Sequence, residues 1–279
     1  ENRRCVWQSG TGNFKGELMS EKRMTNYADY LHLEALLEAQ QPLSDHPDEL
    51  HFILIHQIHE LWFKLALHHL ERARTAMQHD EILEAVRLIG QVSAIFENAQ
   101  HTAEHLHTLP PMAFHQFRQL LAPGSGLQSY QFREIEFLAG LRDKRHVECV
   151  RRQLAKDSHW ETVHRRLDEP SIHDVFIELL ARQHVPDIAS IYADPQTYPE
   201  FYTLADALSI LDQTVQRWRY SHIHLVQRTI GAGVMGTGGT THYDLVSTLQ
   251  WQLFPELWEA RNILSSRFDE SQETVNQKG

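Results

Sequence analysis

The sequence predicts an all-α fold, and three features carry that expectation. No stretch alternates apolar and polar residues over the length of a strand. Two long segments, from about Pro47 to Met77 and from Pro199 to Ile230, keep apolar residues at helical spacing with no interior breaker. Breakers cluster instead at Pro110-Pro111, at Pro123-Gly124-Ser125-Gly126 and at Gly231 to Gly239, where they separate helices.

Residues 1–22 read as a mobile amino-terminal arm, since glycines at 10, 12 and 16 punctuate it and no periodicity holds. Residues 23–279 read as one all-helical domain. A first helix is expected from Thr25 without interruption to Pro42. Asp45, followed by Pro47, Asp48 and Glu49, reads as the start of the next, with a cap, an early proline and acids in the first turn. Asp80 opens a helix that Pro110-Pro111 stops. Shorter ones follow over Met112 to Leu121, Gln128 to Leu141 and Ser171 to Arg182, with only short helical pieces between Arg142 and Pro170. A last helix from about Asp244 to Arg267 should kink or break at Pro255.

Composition narrows the function classes. A formal charge of −11, from 26 basic and 37 acidic side chains, disfavours a nucleic-acid partner, which needs a basic surface. No apolar run approaches the roughly 18 residues of a membrane span. Two cysteines cannot build a disulfide framework and fit a reducing cytoplasm. Histidine is abundant at 20 residues, and imidazole titrates near neutrality and is the commonest metal ligand.

Four constellations could carry chemistry. In Phe52-Ile53-Leu54-Ile55-His56-Gln57-Ile58-His59-Glu60, His56 sits among apolar neighbours and shares a face with Phe52. Such an imidazole suits a distal haem pocket or a substrate hydrogen-bond acceptor, and equally a core histidine satisfied by a backbone carbonyl. His56, His59 and Glu60 also have a spacing that could ligate a non-haem metal, although it matches no standard zinc motif. His222, after Trp218-Arg219-Tyr220-Ser221 on a long helix, could bind haem iron from one side or be an ordinary core or surface residue. Gly236-Thr237-Gly238-Gly239 brings backbone amides close together but matches neither the phosphate-binding loop nor the dinucleotide fingerprint. Arg118 shares a face with Phe114 and precedes Leu121, a setting suited to bidentate binding of a carboxylate; Arg133 could act likewise, or pair with its acidic neighbours.

In this order and spacing, these segments resemble the tryptophan 2,3-dioxygenases. The resemblance runs from about Met24 to Arg261 and includes Tyr27-Ala28-Asp29-Tyr30-Leu31 and Gly126-Leu127-Gln128-Ser129. It implies an all-α helical bundle with a haem pocket, assembled as a homotetramer, with one haem b (iron protoporphyrin IX) per chain. The implied reaction inserts both atoms of O2 across the indole C2–C3 bond of L-tryptophan to give N-formylkynurenine, the entry to tryptophan catabolism through kynurenine. By the same resemblance His222 is the proximal iron ligand and His56 accepts a hydrogen bond from the indole N–H. Arg118 pairs with the substrate carboxylate, and Thr237 contacts its charged amino-acid end. Phe52, Phe114 and Leu121 wall the indole, and Ser125 and Gly126 lie near the haem edge. Tyr27, Tyr30 and Leu31 correspond to residues donated to a neighbouring subunit's site.

Two segments depart from the family pattern. Ile58-His59 stands where a small or hydroxyl residue is usual at one or both positions, and Val234-Met235 precedes the glycine loop where a basic residue is common. The loop also ends Thr240-Thr241-His242. Both segments touch the expected pocket. The alternative they leave open is a haem monooxygenase of tryptophan or a methylated tryptophan, with an oxindole-type product.

Overall fold

The structure, a computed structural model, describes residues 26–154 and 158–276; the arm expected over 1–22 lies outside them. Every regular element among the described residues is a helix, as expected from the periodicity. The chain divides into two compact units, Glu1–Gln41 and Pro42–Gly279.

In the first unit α1 (Tyr27–Leu31) and α2 (Leu33–Leu37) replace the single helix expected up to Pro42. The break is at His32, which adopts a left-handed φ of 50° while its amide donates to the carbonyls of Ala28 and Asp29. Asn26 caps α1 by accepting the Asp29 amide at 2.8 Å. Neither helix has a buried residue, and Tyr27, Tyr30 and Leu37 are largely exposed.

In the second unit α3 (Glu49–Gln78) and α4 (Ile82–Glu104) pack along each other. The three-residue turn between them makes them antiparallel neighbours. The start of α3 is set by Glu49 rather than by the expected cap at Asp45. Its buried carboxylate reaches back to accept the amides of Leu43 and Ser44 at 2.7 and 2.8 Å. After α4 a 3₁₀ turn, His105–Thr108, leads to Pro110-Pro111, and α5 (Pro111–Phe117) passes directly into a second 3₁₀ turn, Arg118–Leu121. Beyond it come α6 (Tyr130–Ala139), α7 (Lys144–Leu154), α8 (Trp160–Arg165) and α9 (Ile172–Arg182). The short α10 (Ile188–Ala193), capped by Asp187, was not anticipated from the sequence; only six residues long, it offers too little periodicity to read.

The second long rod, α11 (Pro199–Ile230), matches its expected bounds and lies against α4. It is followed by the glycine loop, α12 (His242–Val246) and α13 (Pro255–Asn276). The rod expected over about Asp244 to Arg267 is broken ahead of Pro255, which opens α13, because proline at a first helical position lacks only an amide that would be unpaired anyway. Buried Asp212 of α11 fixes that start, accepting the Leu253 amide at 3.1 Å and the Trp258 indole N–H at 2.8 Å.

The main core lies among α3, α4, α6, α9, α11 and α13, with Phe96, Phe176, Phe254, Leu70 and Met77 fully enclosed. A second apolar cluster, built on Ile55, Phe117 and Leu225, joins the amino-terminal part of α3 to α5 and the carboxy-terminal part of α11. It supports the candidate site. No helix among the described residues is long and apolar enough to cross a membrane.

Candidate functional site

The second cluster gathers the expected indole wall. Phe52, Phe114 and Leu121 all pack on it, with Phe52 and Phe114 rings 5.3 Å apart. Phe52 also lies over His56, one helical turn on, at 4.1 Å between centroids. Phe117, fully buried, closes the base with its ring edge-on to both phenylalanines.

His56 is accessible to solvent yet has protein on most sides. That enclosure pulls its pKa below the ordinary 6.5, so the neutral form dominates near pH 7. Its Nδ1 lies 2.7 Å from the Phe52 carbonyl oxygen. A carbonyl only accepts, so the ring proton sits on Nδ1 and Nε2 keeps its lone pair. One nitrogen is thus satisfied by the backbone, and the other remains able to accept.

His222 on α11 is partly buried, and burial pushes its pKa down to about 4. His56, His59 and Arg133 are near enough to disfavour its protonation further, which brings the two expected haem-pocket histidines into one region. A neutral imidazole is the form that ligates a metal. Trp218, one turn earlier, stacks parallel to it at 5.7 Å and an interplanar angle of 7°.

The polar end of the site is built where the glycine loop meets the turn after α5. Arg118 is buried at 6% exposure; its Nη2 donates to the Met235 carbonyl at 2.8 Å, and its Nε has no partner. Thr237 Oγ1 donates to the Gly124 carbonyl at 2.6 Å. Gly238 passes so close to Ser125 that a Cβ would overlap the Ser125 side chain, and Gly239 takes a φ of 77° that favours glycine. Ser125 in turn caps the 3₁₀ turn Gly126–Gln128. The loop thus brings Thr237 to the segment that carries Arg118, Ser125 and Gly126, far earlier in the sequence. Tyr27, Tyr30 and Leu31 belong to the other unit and are exposed there.

The non-haem metal alternative finds no geometry. Among the described residues no group of three or more His, Cys, Asp or Glu side chains is placed to hold a metal. Both ring nitrogens of His59 face backbone carbonyls, and Glu60 accepts from Gln131 Nε2 at 2.8 Å.

The surroundings of His222 suit an anionic, flat, metal-bearing cofactor. Arg133 Nη1 and Arg219 Nη2 each donate to buried Glu136 at 2.6 Å, and His146 Nε2 lies 3.0 Å from the same carboxylate. These partners hold the Glu136 carboxyl far below the usual range despite burial. Two guanidiniums on one carboxylate leave positive charge over, and the buried Arg133 Nε and Trp218 Nε1 have no partner. Haem, with its propionate carboxylates, would satisfy donors of this kind. The sequence placed Arg133 as a second carboxylate ligand or a structural pair; the structure pairs it with Glu136. The Glu136 cluster itself was visible only as an Arg133-to-Glu136 spacing, since Arg219 and His146 arrive from other helices.

A cleft of about 560 Å³ on another flank of α11 is lined by Gln100, His107, Tyr220, Ser221 and His224 among others, and by none of the expected site residues.

Comparison with known proteins identifies the family. The family model described as tryptophan 2,3-dioxygenase matches residues 13–189 and 184–264. A tryptophan 2,3-dioxygenase of Ruegeria sp. (strain TM1040) is 38% identical over 266 residues, covering 86% of this chain and 92% of its own. One from Bradyrhizobium sp. (strain BTAi1 / ATCC BAA-1182) is 37% identical, covering 88% of this chain and 95% of its own. One from Bacillus thuringiensis (strain Al Hakam) is 34% identical, covering 90% and 96%. With the family model matched over most of its length and relatives above 30% identity covered nearly end to end, the chain belongs to the tryptophan 2,3-dioxygenase family.

Proposed function

We propose that the chain is a haem-dependent tryptophan 2,3-dioxygenase that converts L-tryptophan and O2 to N-formylkynurenine, with haem b as its cofactor. What supports this is the placing, beside the apolar cluster of Ile55, Phe117 and Leu225, of a neutral acceptor (His56), a buried and incompletely paired guanidinium (Arg118) and a neutral imidazole able to ligate a metal (His222). An indole amino acid needs these three things together: an apolar slot for its ring, an acceptor for its N–H and a cation for its carboxylate.

His222 would hold the iron, while Arg133 and Trp218 offer donors to the cofactor's carboxylates. When bound, the haem supplies the oxygen chemistry. Phe52, Phe114 and Leu121 bind the indole and exclude water. His56 Nε2 accepts the indole N–H, which fixes the ring's rotation in the slot. Arg118 Nε and its free guanidinium hydrogens take the carboxylate; Thr237 swings from the Gly124 carbonyl to the charged end of the substrate. Ser125 and Gly126 support the cofactor's edge. Tyr27, Tyr30 and Leu31 complete a neighbouring copy's pocket in a homotetramer, a reading supported by two helices without a single buried side chain.

The direct test is reconstitution of the purified chain with haem, followed by tryptophan turnover. A Soret band and N-formylkynurenine are expected. Absence of the band after reconstitution rejects the haem reading, and a band without product rejects the substrate.

A further inference from the structure

Gln131, the second residue of α6, has no part in the reaction proposed above. Its side-chain Nε2 lies 2.9 Å from the backbone carbonyl oxygen of Glu60 and 2.8 Å from Glu60 Oε2. The carbonyl and the carboxylate both accept, and the amide nitrogen carries two hydrogens, one for each. The reversed amide would set its own oxygen against two others, so the donor is fixed. Because one of the two acceptors belongs to the backbone, the amide holds the frame of α3 as well as the Glu60 side chain.

That hold joins two parts of the candidate site. Glu60 stands one turn beyond His56 on α3, and its carboxylate is among the charges that reach the His56 ring. On α6 the residue after Gln131 is Phe132, whose ring lies 4.7 Å from that of Trp218, centroid to centroid. Trp218 is stacked on His222. The turn Gly126–Gln128 leads through Ser129 into the same helix. Gln131 therefore connects the helix bearing the indole acceptor to the helix against which the Trp218–His222 pair packs.

We propose that Gln131 is a positioning residue: its amide grips α3 at Glu60 and holds His56 in register with α6 and the Trp218–His222 pair. The grip itself requires no haem; its effect on the substrate rests on the function proposed above.

Gln131→Met keeps length and bulk and removes both donors. It is made in the wild-type chain and in His56→Ala, and two quantities are followed in the holoenzymes. Amide hydrogen exchange in the segments spanning residues 56–64 and 130–136 reads the grip. Calorimetric affinity for L-tryptophan, measured without O2, reads its effect on the substrate. Q131M should exchange about five-fold faster in both segments. It should weaken tryptophan binding about five-fold where His56 is present, the loss of one hydrogen bond to the indole N–H, and by less than about two-fold in the H56A chain. A merely structural residue would weaken both chains alike. Unchanged exchange, unchanged affinity, or equal losses in the two chains overturns the proposal. Should Q131M fail to fold, Gln131→Asn, which withdraws the amide by one methylene, takes its place with the same outcomes expected. A wild-type holoenzyme that shows no Soret band or binds no tryptophan rejects the function proposed above, and the exchange comparison then judges the grip alone.

Discussion

At the scale of single residues, the proposed site works by fixing which atoms carry protons. His56 is the clearest case, since the Phe52 carbonyl assigns its tautomer and enclosure keeps it neutral. A pKa below 6.5 means that lowering the pH destroys the acceptor only beneath that value. We therefore expect kcat/KM for L-tryptophan to be flat from pH 8 to about 6.5 and to fall below it, with His56→Ala flattening the acid limb. Arg118 offers a charged hydrogen bond to a carboxylate, an interaction of about 2 kcal/mol, or roughly thirty-fold. Arg118→Ala should raise the KM for tryptophan by that factor and leave the binding of free indole, which has no carboxylate, nearly unchanged; equal losses for both ligands would remove Arg118 from this role. His222→Ala should abolish stable haem binding, and an unaltered haem spectrum would reject it as the ligand. These residues were legible because their neighbours are informative: an apolar run around His56, Phe114 one turn from Arg118, a long rod around His222. The pairing of Arg118 with the Met235 carbonyl was not legible, since 117 residues separate them and only the folded loop brings them together.

At the scale of elements, two devices hold the site. One is the glycine loop, where Gly238 lies against Ser125. Gly238→Ala should push the loop from Ser125 and loosen the Arg118–Met235 and Thr237–Gly124 contacts. The expected result is a KM for tryptophan raised about ten-fold with thermal stability little changed. The other is the buried Glu136 cluster binding α6, α7 and α11. Removing its charge leaves Arg133 and Arg219 uncompensated, so Glu136→Gln should destabilise the fold by about 3–5 kcal/mol at pH 7. The sign with pH follows from a carboxyl whose folded pKa is depressed. The wild-type advantage is complete above the ordinary 4.5 and shrinks as pH falls through the folded value. Denaturation midpoints of the two proteins across acidic pH check this. Helix existence was largely readable from periodicity. Helix ends were less so: Glu49 replaces Asp45 at the head of α3, and Pro255 opens α13 because Asp212, on α11, receives the preceding amides.

At the scale of the whole molecule, the unit Glu1–Gln41 explains itself least as an isolated chain. Tyr27 and Tyr30 are 76% and 73% exposed, more than a stable surface of two short helices would ordinarily carry. If they complete a neighbour's pocket, Tyr27→Ala with Tyr30→Ala should lower tryptophan affinity in the assembled protein and weaken the tetramer. Sedimentation together with substrate titration reads both, and a monomer with full activity would contradict the donated segment. The order of the four constellations made the family recognisable, while the assembly rests on residues whose partners lie outside a single chain. The central claim, insertion of both atoms of O2 into the indole by an enzyme whose haem His222 would hold, is reached most directly by isotope labelling. Turnover of L-tryptophan under ¹⁸O₂ should give N-formylkynurenine carrying two labelled atoms; a product with one labelled atom, or none, would contradict it.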